Sequence, residues 1–172
     1  NCTDDTAAIA RSAGATVFTR HNTQKVGKGY ALDYGLKAIW QEFPDNDYEA
    51  YFVFDADNVL DVNYFREMNK TFDSGAAAST SYRNSKNFDS NWISAGYGVW
   101  FLREAKFLNQ ARITPNTSCA VSGTGFFIAA DVLKQAGGWK WHLLTEDIEF
   151  SASSITDGMR IEYCPTAVLY DE

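Results

Sequence analysis

The sequence is poor in cysteine, histidine and proline, with three cysteines, two histidines and three prolines in 172 residues. An odd number of cysteines cannot pair completely within one chain, and Cys2, Cys119 and Cys164 show neither CxxC nor metal-ligand spacing. We therefore predict reduced, buried thiols rather than a disulfide framework. His21 and His142 have no cysteine or histidine partner at ligand spacing, which argues against a zinc site.

Long apolar runs and an excess of positive charge are also missing. No run approaches the roughly 20 apolar residues of a membrane-spanning helix, and the chain does not start with a signal-peptide pattern. Lys and Arg number 15 against 22 Asp and Glu, giving a formal net charge of −7. This balance argues against nucleic acid as a partner, because a phosphate backbone is met by a basic surface. An acidic protein that binds a phosphorylated ligand needs a metal ion to bridge the like charges.

The remaining composition is that of one globular domain, with 45% hydrophobic and 22% charged residues. Apolar residues recur at helical spacing and alternate along the chain with short apolar runs that are typical of strands. This alternation predicts an α/β fold with a mostly parallel sheet flanked by helices, and ligands at the carboxyl ends of its strands. The predicted helices cover about 3–12, 29–43, 61–72, 99–110, 131–135 and 146–156. The predicted strands are 15–19, 50–54 and 76–82, with a strand or turn at 121–129 and one or two strands, split by Pro165, at 160–170.

Asp55 and Asp57 are the sharpest local signal, because they directly follow the apolar run from Ala50 to Phe54. Two carboxylates at the end of a buried strand favour a site for Mg²⁺ or Mn²⁺, which could bridge to diphosphate oxygens. The alternative reading is a solvated turn, which is the usual meaning of a DxD sequence. A second alternative is an aspartate-nucleophile phosphatase, although Asn58 and the residues after it match that motif poorly.

Glu146 and Asp147 lie at a predicted helix start, where acidic residues are routine because they complement the helix dipole. A carboxylate held at a cleft there could also remove a proton from an acceptor hydroxyl. Lys28 lies between two glycines and is either a flexible loop lysine or a point charge for a ligand. The segment Gly123-Thr124-Gly125 is either an ordinary turn or a loop whose backbone N–H groups face an anion or a sugar.

Five motifs taken together resemble family 2 glycosyltransferases, the group that contains the cellulose, chitin, hyaluronan and poly-N-acetylglucosamine synthases. Each motif is weak alone, but their order and spacing over the whole chain are specific. The motifs are Asn1-Cys-Thr-Asp-Asp-Thr6, Gly27-Lys-Gly-Tyr-Ala-Leu32, Phe54-Asp-Ala-Asp57, Gly123-Thr-Gly-Phe-Phe127, and Gly137-Gly-Trp139 with Leu144-Thr-Glu-Asp147.

The resemblance implies a GT-A (Rossmann-like) fold, a divalent metal (Mg²⁺ or Mn²⁺), a UDP-sugar donor, a carbohydrate or glycoconjugate acceptor, and inversion at the anomeric carbon. Residues 1–82 would form the nucleotide-binding half and residues 83–172 the acceptor and catalytic half of one domain. The implied roles are a general base at Asp147 supported by Glu146, metal binding by Asp57 and Asp55, donor binding by Asp4, Lys28, Asp55, Asp57, Gly123 and Thr124, and an acceptor region at Phe126 and Trp139.

The family's first strands and the Asp that usually contacts the base would precede Asn1, so the chain is interpreted as a truncated catalytic domain. We expect it to be soluble, weakly active or inactive, and able to self-associate through an exposed sheet edge. Family members that make polymers carry membrane helices, so the parent protein is expected at the cytoplasmic side of a membrane, held by segments outside residues 1–172. A nucleotide-sugar-binding domain without catalysis remains the main alternative.

Overall fold

The computed structural model describes residues 1–171, and a single five-stranded sheet organises them. Helices flank this sheet, and one of them continues through a π-helical segment at Arg103–Asn109. The strands are β1 (Ala50–Val53), β2 (Val59–Leu60), β3 (Ala78–Ser85), β4 (Phe126–Ala129) and β5 (Ile161–Asp171). The α-helices are α1 (Thr6–Ser12), α2 (Lys28–Glu42), α3 (Tyr64–Asp73), α4 (Trp92–Leu102), α5 (Gln110–Ile113), α6 (Ala130–Ala136) and α7 (Glu146–Thr156).

The strand order is β1-β4-β3-β5-β2, which confirms a GT-A-like α/β domain but with a mixed sheet. Strands β3 and β5 are parallel, whereas the other three pairs are antiparallel, so the sheet is not mostly parallel as the sequence predicted. The reason is the position of β4. Its first residue, Phe126, pairs with the last residue of β1, Val53, so β4 runs back along β1. The segment from Gly123 to Gly125 therefore lies at the carboxyl end of β1.

Both faces of β1 are covered, which explains why its sequence is apolar throughout. Tyr51 and Val53 pack against one hydrophobic cluster, and Phe52 packs against another on the opposite face. Strand β4 divides its side chains in the same way. The first cluster includes Leu36, Phe126, Ile128, Trp139 and Phe150, and the second includes Tyr64, Met68, Phe127, Cys164 and Leu169.

The predicted strand at residues 15–19 is irregular in the structure. A strand needs a hydrogen-bonded neighbour, and within residues 1–171 no strand pairs with this segment or with the outer edge of β1. The helix predicted at 99–110 is longer, since helical turns run from Trp92 to Ile113. The missed start signal is Asn91, whose side chain accepts hydrogen bonds from the N–H groups of Ile93 and Ser94. The other predicted helices are confirmed, and β2 was not predicted.

Candidate functional site

Asp55 follows β1, and its turn is joined to the glycine loop that precedes β4. The Asp55 N–H donates to Thr124 Oγ1 at 2.9 Å and also to Asn58 Oδ1 at 3.2 Å. The Thr124 hydroxyl in turn donates to Asn58 Oδ1. The N–H of Gly125 donates to the carbonyl of Val53 at 2.9 Å. Asp55 and Thr124 therefore belong to one hydrogen-bonded unit, as the antiparallel pairing of β1 and β4 requires.

Lys28 is the first residue of α2 and reaches across to this unit. Its ammonium nitrogen lies 2.5 Å from Asp55 Oδ1 and donates to the Gly123 carbonyl at 2.7 Å. The next residue, Gly29, allows the start of α2 to approach the backbone near Trp141. A Cβ added at Gly29 would lie 2.2 Å from the Trp141 carbonyl oxygen. Gly29 is therefore required by close packing, whereas Gly27 has no atom near an added Cβ and is required by its left-handed φ of 126°. Together they fix the position of the Lys28 backbone.

Asp147 approaches the same loop from the other side. Its Oδ2 accepts a hydrogen bond from the Gly123 N–H at 2.6 Å, and its Oδ1 accepts one from the Ile148 N–H at 2.8 Å. Gly123, at a left-handed φ of 69°, thus presents its N–H to Asp147 and its carbonyl to Lys28. The carboxylates of Asp55 and Asp147 lie on the same side of the molecule, linked through one glycine and one lysine.

Glu146 is almost fully buried beside Asp147, with 6% of its surface exposed. Burial raises the pKa of its carboxyl group, and the nearby carboxylates of Asp147 and Asp55 raise it further, while the Lys28 ammonium acts in the opposite direction. These charge interactions show that Glu146 lies close to Lys28, Asp55 and Asp147. A buried carboxyl group with a raised pKa is a common feature of sites that exchange protons.

Arg83, in the second half of β3, is a member of the site that the sequence reading missed. Its guanidinium donates to Ser122 Oγ at 3.0 Å, and ion pairs join it to Asp171 at 3.3 Å and Glu104 at 3.4 Å. The guanidinium also lies 4.4 Å from the ring centroid of Phe101. Arg83 therefore ties the loop before Gly123 to β5 and to the π-helical segment. The sequence signal that could have identified Arg83 is an arginine in a strand made mostly of small residues.

Comparison with protein families decides what this group of residues belongs to. The whole chain, residues 1–172, matches the family model described as glycosyltransferase like family 2. The chain belongs to this glycosyltransferase family. No curated protein sequence matches it. Membership makes the chain a glycosyltransferase and implies a nucleotide-sugar donor and a carbohydrate acceptor.

The acidic pair after β1 occupies two different environments in this glycosyltransferase. Asp55 is paired with Lys28, whereas Asp57 is about half exposed and has the Lys86 ammonium 3.9 Å from its Oδ2. Across residues 1–171, no group of three or more His, Cys, Asp or Glu side chains is arranged to hold a metal ion. An exposed carboxylate nevertheless fits Mg²⁺, which takes one or two protein carboxylates and completes its shell with phosphate oxygens and water.

Two of the predicted site residues lie in the hydrophobic core, and a third, Asp4, makes only local hydrogen bonds among the described residues. Phe126 and Trp139 are each 1% exposed and pack against Phe150 in the first hydrophobic cluster. They are therefore core residues and do not line an acceptor region. Their aromatic character served the core, which is its commonest use. Asp4 is exposed at the start of α1, where its Oδ1 accepts hydrogen bonds from the N–H and hydroxyl of Thr6. The hydrogen bonds of Asp4 therefore stay within its own turn.

No helix within the described part of this glycosyltransferase is long and apolar enough to cross a membrane.

Proposed function

We propose that the chain is the catalytic domain of an inverting glycosyltransferase that transfers a sugar from a UDP-sugar to an acceptor hydroxyl in polysaccharide or glycoconjugate synthesis. The observation that supports this most directly is Gly123, which accepts a hydrogen bond from Lys28 and donates one to Asp147. A lysine that can meet phosphate thereby faces the same loop as a carboxylate that can accept a proton. Single displacement requires both functions in one cleft.

In this proposal Asp147 is the general base. It removes the proton from the acceptor hydroxyl while the hydroxyl oxygen forms its bond to the anomeric carbon of the donor sugar. The bond between that carbon and the diphosphate oxygen breaks, and its electron pair leaves with UDP. Because attack and departure occur on opposite faces, the configuration inverts. Glu146 would support Asp147 from the first turn of the same helix, where burial and the Asp147 and Asp55 carboxylates raise the pKa of the Glu146 carboxyl group.

Lys28, Asp55 and Asp57 would serve the donor. Lys28 would place its charge beside the diphosphate, and Asp55, fixed by Lys28, would face the ribose and diphosphate. The buried Thr124 side chain would hold the Asp55 backbone in place, and the Gly123 backbone would hold Lys28 and Asp147 on this side of the donor site. Asp57 would be the main carboxylate ligand of Mg²⁺ or Mn²⁺. When bound, the cation supplies positive charge that stabilises the departing diphosphate.

Asp147→Asn tests the catalytic role, because the amide oxygen can still accept the hydrogen bond from Gly123 while the side chain can no longer take a proton. We expect sugar transfer to fall by about 10²-fold or more, with UDP-sugar affinity, measured by calorimetry, nearly unchanged. Asp157→Asn, at the exposed end of α7, is the matched control. Transfer is measured by mass spectrometry, in the chain itself and, if its turnover is too slow, in a longer protein that contains it.

The same experiment separates two rival functions. Equal transfer by the wild type and Asp147→Asn would contradict the proposed base, and binding of UDP-sugars without any transfer in the longer protein would favour a non-catalytic binding domain. A phosphatase with an aspartate nucleophile would instead form a phosphoryl-enzyme at Asp55, which mass spectrometry detects after acid quenching. Failure of every UDP-sugar to bind would contradict the proposed donor.

A further inference from the structure

Seven of the nineteen exposed large apolar side chains among the described residues lie on one helical stretch. Helix α4 and the π-helical segment after it turn their small or buried residues, such as Ser94, Phe101 and Ala105, towards the sheet. On the opposite side, Trp92 is 83% exposed, and an open groove runs beside Gly96. We call this surface the α4 face. Its exposed apolar residues are Trp92, Ile93, Tyr97, Val99, Trp100, Leu102 and Phe107.

The α4 face carries positive charge although the whole chain is acidic. Residues 91–113 contain three basic residues and one acidic residue, a local net charge of +2 against −7 for the chain. The one acidic residue, Glu104, is partly buried and paired with Arg83. Arg103 and Lys106 are exposed, and the Arg103 guanidinium lies 5.1 Å from the Trp100 ring centroid. Tryptophan, tyrosine and cations thus share one surface.

We infer that the α4 face docks on an anionic lipid surface. Tryptophan and tyrosine favour the boundary between water and acyl chains, and Arg and Lys side chains beside them can reach the headgroups. Exposed apolar surfaces of this kind mark interaction sites rather than ordinary solvent contact. The basic residues match anionic headgroups, and this is the charge complementarity that selects lipid as the occupant.

A second copy of the chain fits this surface less well. A symmetric dimer places the same patch of both copies together, so two copies of Arg103 and Lys106 would gather positive charge in one interface. The acidic remainder of each chain adds repulsion at longer range. An anionic lipid surface presents the opposite charge to the α4 face and accepts its aromatic side chains without a shaped partner.

Binding to vesicles tests the inference directly, and it does not depend on the proposed sugar transfer. The chain is mixed with vesicles of phosphatidylcholine alone or with phosphatidylglycerol, and the bound fraction is measured by flotation. We expect binding to the anionic vesicles and little to the neutral ones. Trp92→Ser/Trp100→Ser should abolish it, and Arg103→Ser/Lys106→Ser should weaken it about 25-fold, since each basic residue contributes about five-fold. The control is Ile9→Ser/Val62→Ser, which removes exposed apolar residues elsewhere.

Quenching by lipids with brominated acyl chains shows which residues enter the bilayer. Trp92 and Trp100 are exposed, while Trp40, Trp139 and Trp141 are partly or fully buried. We expect quenching in the wild type, and its loss in Trp92→Phe/Trp100→Phe, which keeps its apolar contact and still floats. Circular dichroism confirms that each variant is folded.

Three results would overturn the inference: failure of the folded wild type to float with anionic vesicles, equal flotation of Trp92→Ser/Trp100→Ser, or a concentration-dependent dimer in light scattering that this substitution abolishes. The last result would assign the surface to self-association.

Discussion

The N–H of Gly123 donates to Oδ2 of Asp147 across 2.6 Å, while its carbonyl accepts the ammonium of Lys28 across 2.7 Å. One peptide segment therefore sets the distance between a cation and a carboxylate that come from different helices, α2 and α7. Lys28 and Asp147 lie in the first turns of these helices, so the helix backbone fixes where each side chain starts. The loop before β4 thus brings the starts of α2 and α7 together at the carboxyl end of β1.

Lys28→Met should lower the affinity for UDP-sugars by about ten-fold to 100-fold, since a hydrogen bond to a charged group contributes about 1.5–3 kcal/mol. Asp55→Asn weakens the same ion pair, so the double variant should lose less than the sum of the two single effects. Lys37→Met is the control, because Lys37 pairs with Asp33 on the exposed side of the same helix. Calorimetry measures the affinities. Fully additive losses would show that Lys28 and Asp55 act separately.

Asp57→Asn should remove the gain in UDP affinity that Mn²⁺ provides, because an amide oxygen lacks the negative charge that the cation requires. UDP binding is measured with Mn²⁺ and with a chelator, and we expect a difference only in the wild type. Asp89→Asn, an exposed aspartate outside the site, should keep the difference. An undiminished Mn²⁺ effect in Asp57→Asn would place the cation elsewhere.

Glu146 should make the fold less stable as pH rises. Burial raises the pKa of its carboxyl group above the value in the unfolded chain, so between these two values the folded state binds more protons than the unfolded state. The contribution is therefore most favourable below the unfolded pKa and is lost as pH rises through the folded pKa. Glu146→Gln removes this dependence, so its free energy of unfolding relative to wild type should increase from pH 4 to pH 8. Urea titrations measure it, and a flat or falling difference would contradict the prediction.

Gly125→Ala should destabilise the fold by about 3 kcal/mol, since overpacking and a strained backbone add. A Cβ at Gly125 would lie 1.8 Å from Leu169 Cδ2 and 2.8 Å from Ser81 Oγ, at a φ of 68°. Gly14→Ala is the matched control, because Gly14 also has a left-handed φ but no atom within 4 Å of an added Cβ. Its cost should be backbone strain alone, about 1 kcal/mol. Equal losses in urea titrations would mean that the contact with Leu169 is not decisive.

Helix positions were predicted well because their signals are local. The apolar spacing in α2 and the acidic start of α7 depend on neighbours within one or two turns. Strand directions were predicted poorly, because the antiparallel direction of β4 depends on a contact between Val53 and Phe126, which are more than 70 positions apart. The strand expected at residues 15–19 failed for a similar reason, since strand formation needs a partner that a local pattern cannot supply.

The candidate site shows the same division. Motif spacing pointed to Lys28, Asp55 and Asp147, and the structure brings these three together. Motif spacing could not distinguish a surface aromatic residue from a core one, so Trp139, which is buried, was predicted to line an acceptor region. Arg83 was missed because its partners come from three separate parts of the chain.

Strand β4 sends Phe126 and Phe127 into opposite hydrophobic clusters immediately after the glycine loop. A strand alternates its side chains, so inserting one residue between Gly125 and Phe126 would exchange the cluster that each ring enters. If β4 kept its register instead, the insertion would move the Gly123 peptide away from Lys28 and Asp147. The length of this loop is therefore set by the packing of both clusters as well as by the hydrogen bonds that Gly123 makes with Lys28 and Asp147.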